Sequence, residues 1–354
     1  MSLPPSEIPQ GAIRFNTDSQ KLEFYAQGEW WNMVTDTPNL GVGADTTAGA
    51  RGLFGGGSAP AIQGYTDIEY INISSTGNAI DFGDLLYARR DLGACASSTR
   101  GVFAGGAPVS TPLGYGAKVD YVTISSTGTA VDFGASLTFG RRAVCGCGNQ
   151  TRGLFAGGWN DASPSIFYHI DYITIASTGD VVDFGDFGTA DTSSGVSSRG
   201  CVSSPTRAVF GGGETPTQLN NMDFVTISTL GDSQDFGDLS EIVRHIDGCS
   251  NSVRGLFGGG ATPVQRNTIE FITIASTGNT INFGDLIKSG NNRATCSSPT
   301  RGVWAGGYVP TVDRTIEYVI LNTEGNAVDF GDLTGSNSGD KAQLAGLSNA
   351  HGGL

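Results

Sequence analysis

The sequence predicts an all-β fold, a six-bladed β-propeller preceded by a small β-meander. A phrase of the type Arg51-Gly-Leu-Phe-Gly-Gly-Gly57 occurs six times. The later copies start at Arg100, Arg152, Arg207, Arg254 and Arg301. The steps between copies are 49, 52, 55, 47 and 47 residues, a period typical of propellers and other repeat arrays. The repeats contain strand-like runs and turn signals but no helical pattern.

Composition narrows the class of protein. The chain has 54 glycines in 354 residues, without a collagen period, which indicates many tight turns. Its formal net charge of −14 argues against non-specific binding to nucleic acid or to an anionic membrane. Residues 1–10 do not resemble a signal peptide, and no apolar run is long enough for a membrane-spanning helix. We therefore expect assembly in a cytoplasm, without membrane insertion.

Residues 1–40 predict a separate β-unit. Three short apolar runs between residues 11 and 34 are divided by turn signals at 16–20 and 26–29, which is the pattern of a β-meander. Such a unit is too small to bury a core of its own. Its aromatic residues Phe24, Tyr25, Trp30 and Trp31 are therefore expected to dock it on a partner or to form an oligomer such as a trimer. Residues 41–50 are predicted to be a linker, followed by the propeller at 51–354.

The first repeat shows the predicted strand order. Strand b covers Gly52–Gly56, strand c Ile68–Ile73 and strand d Ala79–Leu85. A tight turn at Ser74–Asn78 joins strands c and d. The next repeat begins with strand a at Ala94–Ser98 and leads back to the arginine phrase. Four strands per repeat are what a propeller blade requires.

Two spacings within the repeat do not vary. A turn glycine lies seven residues after the strand c aromatic, and a strand d phenylalanine lies twelve residues after it. The aromatics are Tyr70, Tyr121, Tyr172, Phe224, Phe271 and Tyr318. The constant spacing predicts a c–d hairpin whose register is set by a glycine with positive φ.

Other lengths vary and predict a binding face. The b–c gap is 13, 15, 14, 11, 11 or 11 residues, and the gap from the strand d phenylalanine to the next arginine is 18, 19, 23, 18 or 18. In an up-and-down blade both connections lie on one face, which is the usual binding face of a repeat scaffold. The candidate binding residues there are Tyr65, Tyr115, Trp159, Asn160, Asp161, Tyr168, Glu214, Tyr308 and Asp313. Aromatics mixed with amides and carboxylates suit a sugar ligand, although single rings could instead cap the ends of blades.

The last residues predict ring closure. The segment Ala345–Leu354 resembles Cys145–Leu154, which leads from strand a into strand b. We expect it to supply strand a of the first blade, which removes a sheet edge.

Catalytic, metal and cofactor sites are not predicted. Five cysteines recur at a fixed place before the motif arginines, which favours packing on an inner strand over metal binding. Asp-Phe-Gly-Asp runs recur in four repeats and the motif arginine in all six, which favours a structural role, and we expect each motif arginine to pair with an aspartate. The histidines lie at unrelated places in the repeat.

Two resemblances add to this interpretation. The glycine doublet closing strand b and the aromatics of strands c and d resemble kelch repeats over residues 50–354. Residues 11–25 with Trp30 and Trp31, and the phrase at Phe271–Gly278, resemble segments of marine bacteriophage virion proteins. This second resemblance implies a non-enzymatic tail fibre, head fibre or decoration protein, located in the virion. Residues 1–40 would bind other virion proteins, and the loop face would bind a host glycan or protein.

Two other functions stay open. A propeller-type carbohydrate-active enzyme would require non-repeated carboxylates around the channel mouth, and Glu241 and Glu214 are the obvious irregular glutamates. An intracellular kelch-type adaptor would normally carry a helical partner domain, and no such pattern is present in this sequence.

Overall fold

The computed structural model describes residues 8–16, 21–32, 50–108, 116–160, 165–188 and 195–354. The chain divides into two compact units, Met1–Ala48 and Gly49–Leu354. The all-β prediction is confirmed, because antiparallel sheets account for nearly all the regular structure described. Within the described ranges we find no helix with the length and hydropathy needed to span a bilayer.

The first unit is a three-stranded antiparallel sheet. It contains β1 (Ile13–Asn16), β2 (Lys21–Ala26) and β3 (Glu29–Asn32), in that order. Tyr25 is buried and packs edge-on against Trp30, with 5.3 Å between ring centroids. Ile13 pairs with Phe24 across the strands, and these side chains are 62% and 37% exposed. The predicted docking residue Trp31 lies in β3, and its side chain is outside the described part of the chain.

The second unit contains one sheet for each repeat. Repeat 1 has β4 (Arg51–Ser58), β5 (Tyr65–Asn72) and β6 (Ile80–Arg90). Repeat 2 has β7 (Gly93–Ala96), β8 (Arg100–Ala104), β10 (Lys118–Thr123) and β11 (Val131–Ser136), with β9 (Ala107–Pro108) pairing on β6. Repeat 3 has β12 (Cys145–Gly148), β13 (Arg152–Ala156), β16 (His169–Thr174) and β17 (Val182–Asp186).

The remaining repeats follow the same order. Repeat 4 has β18 (Gly200–Ser203), β19 (Arg207–Gly211), β20 (Asn221–Thr226) and β21 (Gln234–Asp238). Repeat 5 has β22 (Asp247–Ser250), β23 (Arg254–Gly258), β26 (Thr268–Thr273) and β27 (Ile281–Asp285). Repeat 6 has β28 (Ala294–Ser297), β29 (Arg301–Ala305), β32 (Thr315–Ile320) and β33 (Val328–Asp332).

Short hairpins occupy three of the b–c connections. They are β14 (Trp159–Asn160) with β15 (Ser165–Ile166), β24 (Ala261–Thr262) with β25 (Val264–Gln265), and β30 (Tyr308–Val309) with β31 (Thr311–Val312). A short 3₁₀ helix at Ser336–Gly339 precedes the last strand, β34 (Ala342–Ser348). Strand β34 pairs antiparallel with β4, so the sheet of repeat 1 takes its first strand from the far end of the chain.

Apolar packing lies between successive sheets. Six buried clusters are each shared by two neighbouring repeats, and one of them joins repeat 6 to repeat 1 through Val303, Phe330, Phe54 and Ile71. The invariant twelve-residue spacing has a physical reason here. Each strand c aromatic meets the strand d phenylalanine edge-on, with centroids 5.8–6.1 Å apart. This arrangement of sheets is consistent with a β-propeller.

The turn glycines have the predicted backbone conformation. Gly77 and its five equivalents have φ between 142° and 154°, so the prediction of positive φ is confirmed. A glycine follows five of the six motif arginines, with Ala208 in repeat 4, and its role is close packing. A Cβ on Gly153 would lie 2.2 Å from the Sγ atom of Cys95 in the preceding repeat. The buried cysteines are therefore packing residues, and burial raises the pKa of the Cys95 thiol well above its ordinary value.

The predicted pairing of motif arginines with aspartates is wrong. In the described part of the chain these arginines form no ion pair. Each guanidinium instead lies 4.2–4.8 Å from the centroid of its own strand c aromatic. Its Nη1 atom donates to a backbone carbonyl of the next repeat at 2.8–3.1 Å, and Arg301 donates to Ile73 of repeat 1. Each motif arginine therefore stacks on an aromatic ring and donates to a neighbouring sheet instead of pairing with a carboxylate.

Other basic residues form the buried ion pairs. The acid that precedes each strand c aromatic is buried beside a cation. The acids are Glu69, Asp120, Asp171, Asp223, Glu270 and Glu317. The closest basic partners are Lys341, Arg89, Arg141, Arg199, Arg266 and Arg293, in the same order. One ion pair per repeat was expected, and the structure assigns it to residues that the sequence analysis did not select.

Candidate functional site: the loop face and the axial ring

The first candidate binding residue, Tyr65, is buried. Its side chain is 6% exposed, and the Nζ atom of Lys341 lies 5.1 Å from the ring centroid. Burial and the nearby Asp67 carboxylate raise the pKa of the Tyr65 phenol. This ring therefore packs inside the sheet and is not available to stack on a ligand.

Trp159 and Asn160 lie at the start of the b–c connection of repeat 3, and both are half-buried. The backbone of Trp159 exchanges two 2.8 Å hydrogen bonds with Arg142 of the preceding d–a connection. The Nδ2 atom of Asn160 donates to the carbonyl oxygen of Gly140 at 2.7 Å. The candidates Tyr115 and Asp161 fall outside the described residues.

The other candidates are distributed over three repeats. Tyr168 is half-buried against the core of repeats 3 and 4. Glu214 accepts a 2.7 Å bond from Arg244, and Asp313 lies 3.0 Å from the Nζ atom of Lys288. Tyr308 is 45% exposed. The structure therefore places these residues on the connections as predicted, but it does not bring them together into one site.

Backbone bridges join the two kinds of connection. The d–a connection of one repeat pairs with the start of the next b–c connection. The pairs are Arg90 with Ala107, Arg142 with Trp159, Ser197 with Glu214, Arg244 with Ala261, Asn291 with Tyr308, and Ala342 with Ser58. Because all six boundaries carry such a pair, the variable connections rest on a regular backbone frame.

A second set of equivalent residues forms a closed cycle, which we call the axial ring. Its members are Asp91, Ala143, Ser198, His245, Asn292 and Gln343. Each has a left-handed backbone, with φ between 51° and 62°. The N–H group of each donates to the carbonyl of the member one repeat earlier, at 2.8–3.4 Å, and Asp91 donates to Gln343. Non-glycine residues pay a strain energy in this conformation, so the cycle must be held by the sheets around it.

The polar side chains of the axial ring are mostly engaged. Asp91 accepts from Arg142 at 3.1 Å and from Gln343 at 3.0 Å. Burial raises the pKa of Asp91, and Arg142 opposes that rise. Burial lowers the pKa of His245, whose Nε2 atom lies 4.0 Å from Glu214. Burial therefore favours the neutral form of His245, and the ring presents two amides, a hydroxyl, an imidazole and an arginine-bound carboxylate.

The inner strands next to this ring line a cavity of about 130 Å³. Ser250, Ser297 and Ser348 each donate to the carbonyl of the preceding repeat at 2.6–2.8 Å. Ala96 and Gly148 have no hydroxyl at the equivalent position. The Nε2 atom of His351 donates to Ala96 at 2.8 Å, and a Cβ on Gly353 would lie 1.9 Å from the oxygen of Gly148. His351 thus supplies to the carbonyl of Ala96 the hydrogen bond that a serine at position 148 would donate.

Asp247 lies on the innermost strand of its sheet, at a position where the other repeats have glycine, alanine or cysteine. Its carboxylate accepts from the backbone N–H of Arg293 at 3.0 Å. Burial raises the pKa of Asp247 to about 8. In the described residues, no group of three or more His, Cys, Asp or Glu side chains is positioned to hold a metal ion.

The sequence analysis missed an aromatic cluster between repeats 2 and 3. The ring of Phe139 stacks on Phe167 at 5.2 Å and on His169 at 4.9 Å, with interplanar angles of 17° and 19°. Phe139 is 41% exposed. It comes from a d–a connection, and a search for large aromatics in both kinds of connection would have found it.

Comparisons with known proteins find no matching family model and no matching curated protein.

Proposed function

We propose that residues 51–354 form a closed, six-bladed, kelch-like β-propeller that functions by binding, as a tail fibre, head fibre or decoration component of a phage virion. The observation that supports closure most is the axial ring, a cycle of six backbone hydrogen bonds that returns to its starting residue. The motif arginines and the six apolar interfaces follow the same cyclic order. A closed ring of blades leaves only short, protected sheet edges, which suits a protein exposed outside a cell.

The loop face supports binding more than catalysis. Its frame is regular at the backbone level, while the side chains on it differ from repeat to repeat. The acids near the axis have basic partners, such as Asp91 with Arg142 and Glu214 with Arg244. A rigid frame that carries variable side chains is a common design for recognition surfaces.

The first unit supports attachment to a particle. Ile13 and Phe24 are exposed neighbours on a sheet with few residues to cover them. Burying such side chains against another virion protein, or against further copies in a trimer, would stabilise the unit. The virion assignment itself depends on the resemblance of residues 11–25 to phage structural proteins.

Mass spectrometry of density-purified particles from the source culture tests this proposal. We expect the chain to co-purify at a stoichiometry comparable to that of other structural proteins. Particles carrying the chain with Ile13→Asp and Phe24→Asp should lose it, whereas a Tyr308→Ala control should retain it. Detection of the wild-type chain only in the particle-free fraction would contradict the proposal.

One observation favours the carbohydrate-active enzyme as a second candidate. Asp91, His245 and Asp247 are non-repeated titratable residues near the axis, and burial raises the pKa of both aspartates. Turnover of a polysaccharide that is abolished by Asp91→Asn would establish this function. Equal turnover by the wild type and that variant would exclude these residues from catalysis.

A further inference from the structure

The boundary between repeats 2 and 3 departs from the symmetry of the other boundaries. At five boundaries a turn glycine donates its N–H to the strand d phenylalanine of the preceding repeat, at 2.7–2.9 Å. The pairs are Gly77 with Phe330, Gly128 with Phe82, Gly231 with Phe184, Gly278 with Phe236, and Gly325 with Phe283. In the described residues no such bond joins Gly179 to Phe133. The outer seam between these two sheets is therefore open.

A one-residue insertion explains the open seam. Repeat 2 has both Ala135 and Ser136 between its strand d glycine and Leu137, where the other repeats have a single aspartate. The register of β10 and β11 shifts accordingly, and Gly134 has φ of 82° instead of the 136–154° of its equivalents. A Cβ on Gly134 would meet nothing within 4 Å, whereas one on Gly83 would lie 2.4 Å from the oxygen of Gly128.

The aromatic cluster lies at the same boundary and presents a flat face. Phe167 and His169 lie 6.4 Å apart. If Phe167 and His169 covered opposite faces of Phe139, the distance between their centroids would approach the sum of their distances from the Phe139 centroid. Both rings therefore lie against one face of Phe139, whose side chain is 41% exposed. Arg141, which is fully buried and bonded to Asp171, lies 5.9 Å from the Phe167 ring and helps to fix it.

A hydrogen-bonded pair, His169 and Asp186, adjoins the aromatic cluster. The Nδ1 atom of His169 lies 2.9 Å from the Oδ1 atom of Asp186, whose side chain is 42% exposed. The carboxylate can accept further bonds through its second oxygen. A flat apolar ring beside a hydroxyl acceptor matches a sugar ring, which has a face of C–H groups and a rim of hydroxyls. The net charge of −14 and the carboxylate at the site disfavour an anionic sugar.

We propose that Phe139, with Phe167, His169 and Asp186, forms a binding site for a neutral saccharide at the boundary between repeats 2 and 3. The proposal deepens the proposed binding function, because it names the location and the ligand class on the loop face. Phe139 stacks on the sugar ring, and Asp186 accepts from a hydroxyl group. His169 holds the carboxylate in place.

A glycan array that carries neutral glucans, mannans, galactans and xylans, together with sialylated and sulfated glycans, tests the site on the full chain. We expect binding to neutral glycans only. Titration of the best neutral oligosaccharide should weaken about tenfold for Phe139→Ala, consistent with loss of one stacking contact. Asp186→Asn should weaken binding severalfold. Ile287→Ala removes a similarly exposed apolar side chain from the d–a connection of repeat 5 and should leave binding unchanged.

Several results would overturn the site. They are absence of neutral-glycan binding by the wild type, equal affinity of wild type and Phe139→Ala, and preference for the charged glycans. Binding of a peptide ligand through Phe139 with no glycan binding would reject the ligand class.

Phe139 is exposed, so its variant should unfold like the wild type in circular dichroism. A chain absent from particles that still binds neutral glycans would reject only the virion function. A virion chain without glycan binding would reject only this site.

Discussion

At the scale of single residues, position in the repeat decides chemistry more than residue type does. Asp247 and its glycine, alanine and cysteine equivalents occupy the same position on the inner strands. Of these residues, only the aspartate would place a charge in the wall of the cavity when it ionises. Its folded carboxyl keeps its proton up to about pH 8, whereas an unfolded aspartate releases it near pH 4. Between these values the folded state binds more protons, so this residue lowers stability as pH rises.

Asp247→Asn should therefore stabilise the protein at high pH. We expect a gain of about 1–3 kcal/mol in the free energy of unfolding at pH 8, discounted because the carboxyl borders a cavity, and almost no gain near pH 4. Urea unfolding at several pH values measures this. Asp235→Asn, at an exposed position of β21, is the control and should change stability by less than about 0.5 kcal/mol. A wild-type stability that rises relative to Asp247→Asn between pH 5 and 8 would reverse the sign and refute the argument.

At the scale of elements, buried ion pairs join the third strand to the connection that precedes its sheet in five repeats, whereas in repeat 5 the partner Arg266 lies in the b–c connection. Arg89 and Asp120 are 2% and 0% exposed and lie 2.6 Å apart. Arg89 also donates to the backbone carbonyls of Gly105 and Lys118. The pair thus fixes the end of β6 against the sheet of repeat 2.

Asp120→Asn should leave the Arg89 guanidinium buried without its counter-charge. We expect a loss of about 3–5 kcal/mol in the free energy of unfolding, measured by urea denaturation. Asp332→Asn is the matched control, because Asp332 lies 3.7 Å from Arg314 and both side chains are about half exposed. That variant should cost less than about 1 kcal/mol. Similar losses for the two variants would show that burial does not determine the strength of these pairs.

The sequence was informative about elements and less informative about their partners. Recurrence of the arginine phrase and of Gly77 and its equivalents predicted strands and hairpins, because local spacing determines both. It could not predict the axial ring, whose members include Ala143, Asp91 and His245 and share only a backbone conformation. The basic partner of the strand c acid also lies at a different sequence distance from that acid in successive repeats, as Arg141 and Arg199 show. The Phe139 cluster depends on contacts between repeats, which no local pattern reports.

At the scale of the whole molecule, the pairing of β34 with β4 decides whether β4 is left as a free sheet edge. This pairing runs from Ala342 opposite Ser58 to Ser348 opposite Gly52. Leu344 and Leu347 of β34 are buried in two different inter-sheet cores. The strand therefore connects three repeats, and its removal would expose both an edge and apolar surface.

Deleting residues 342–354 should abolish cooperative thermal unfolding and produce oligomers in size-exclusion chromatography. Deleting only residues 349–354 keeps the strand and removes His351, so we expect a folded monomeric protein with a Tm lowered by several degrees. A chain without β34 that melts cooperatively at the temperature of the full chain would show that the array does not depend on this pairing.

The axial ring sets a further condition on anything that approaches the centre of the molecule. Each residue of this cycle is at once a donor to one neighbour and an acceptor from the other, so displacing one residue breaks two hydrogen bonds. A ligand that pushed one member aside would therefore have to break two of the six bonds of the cycle. We expect large ligands to be recognised by the side chains around the cycle and not by displacement of its backbone.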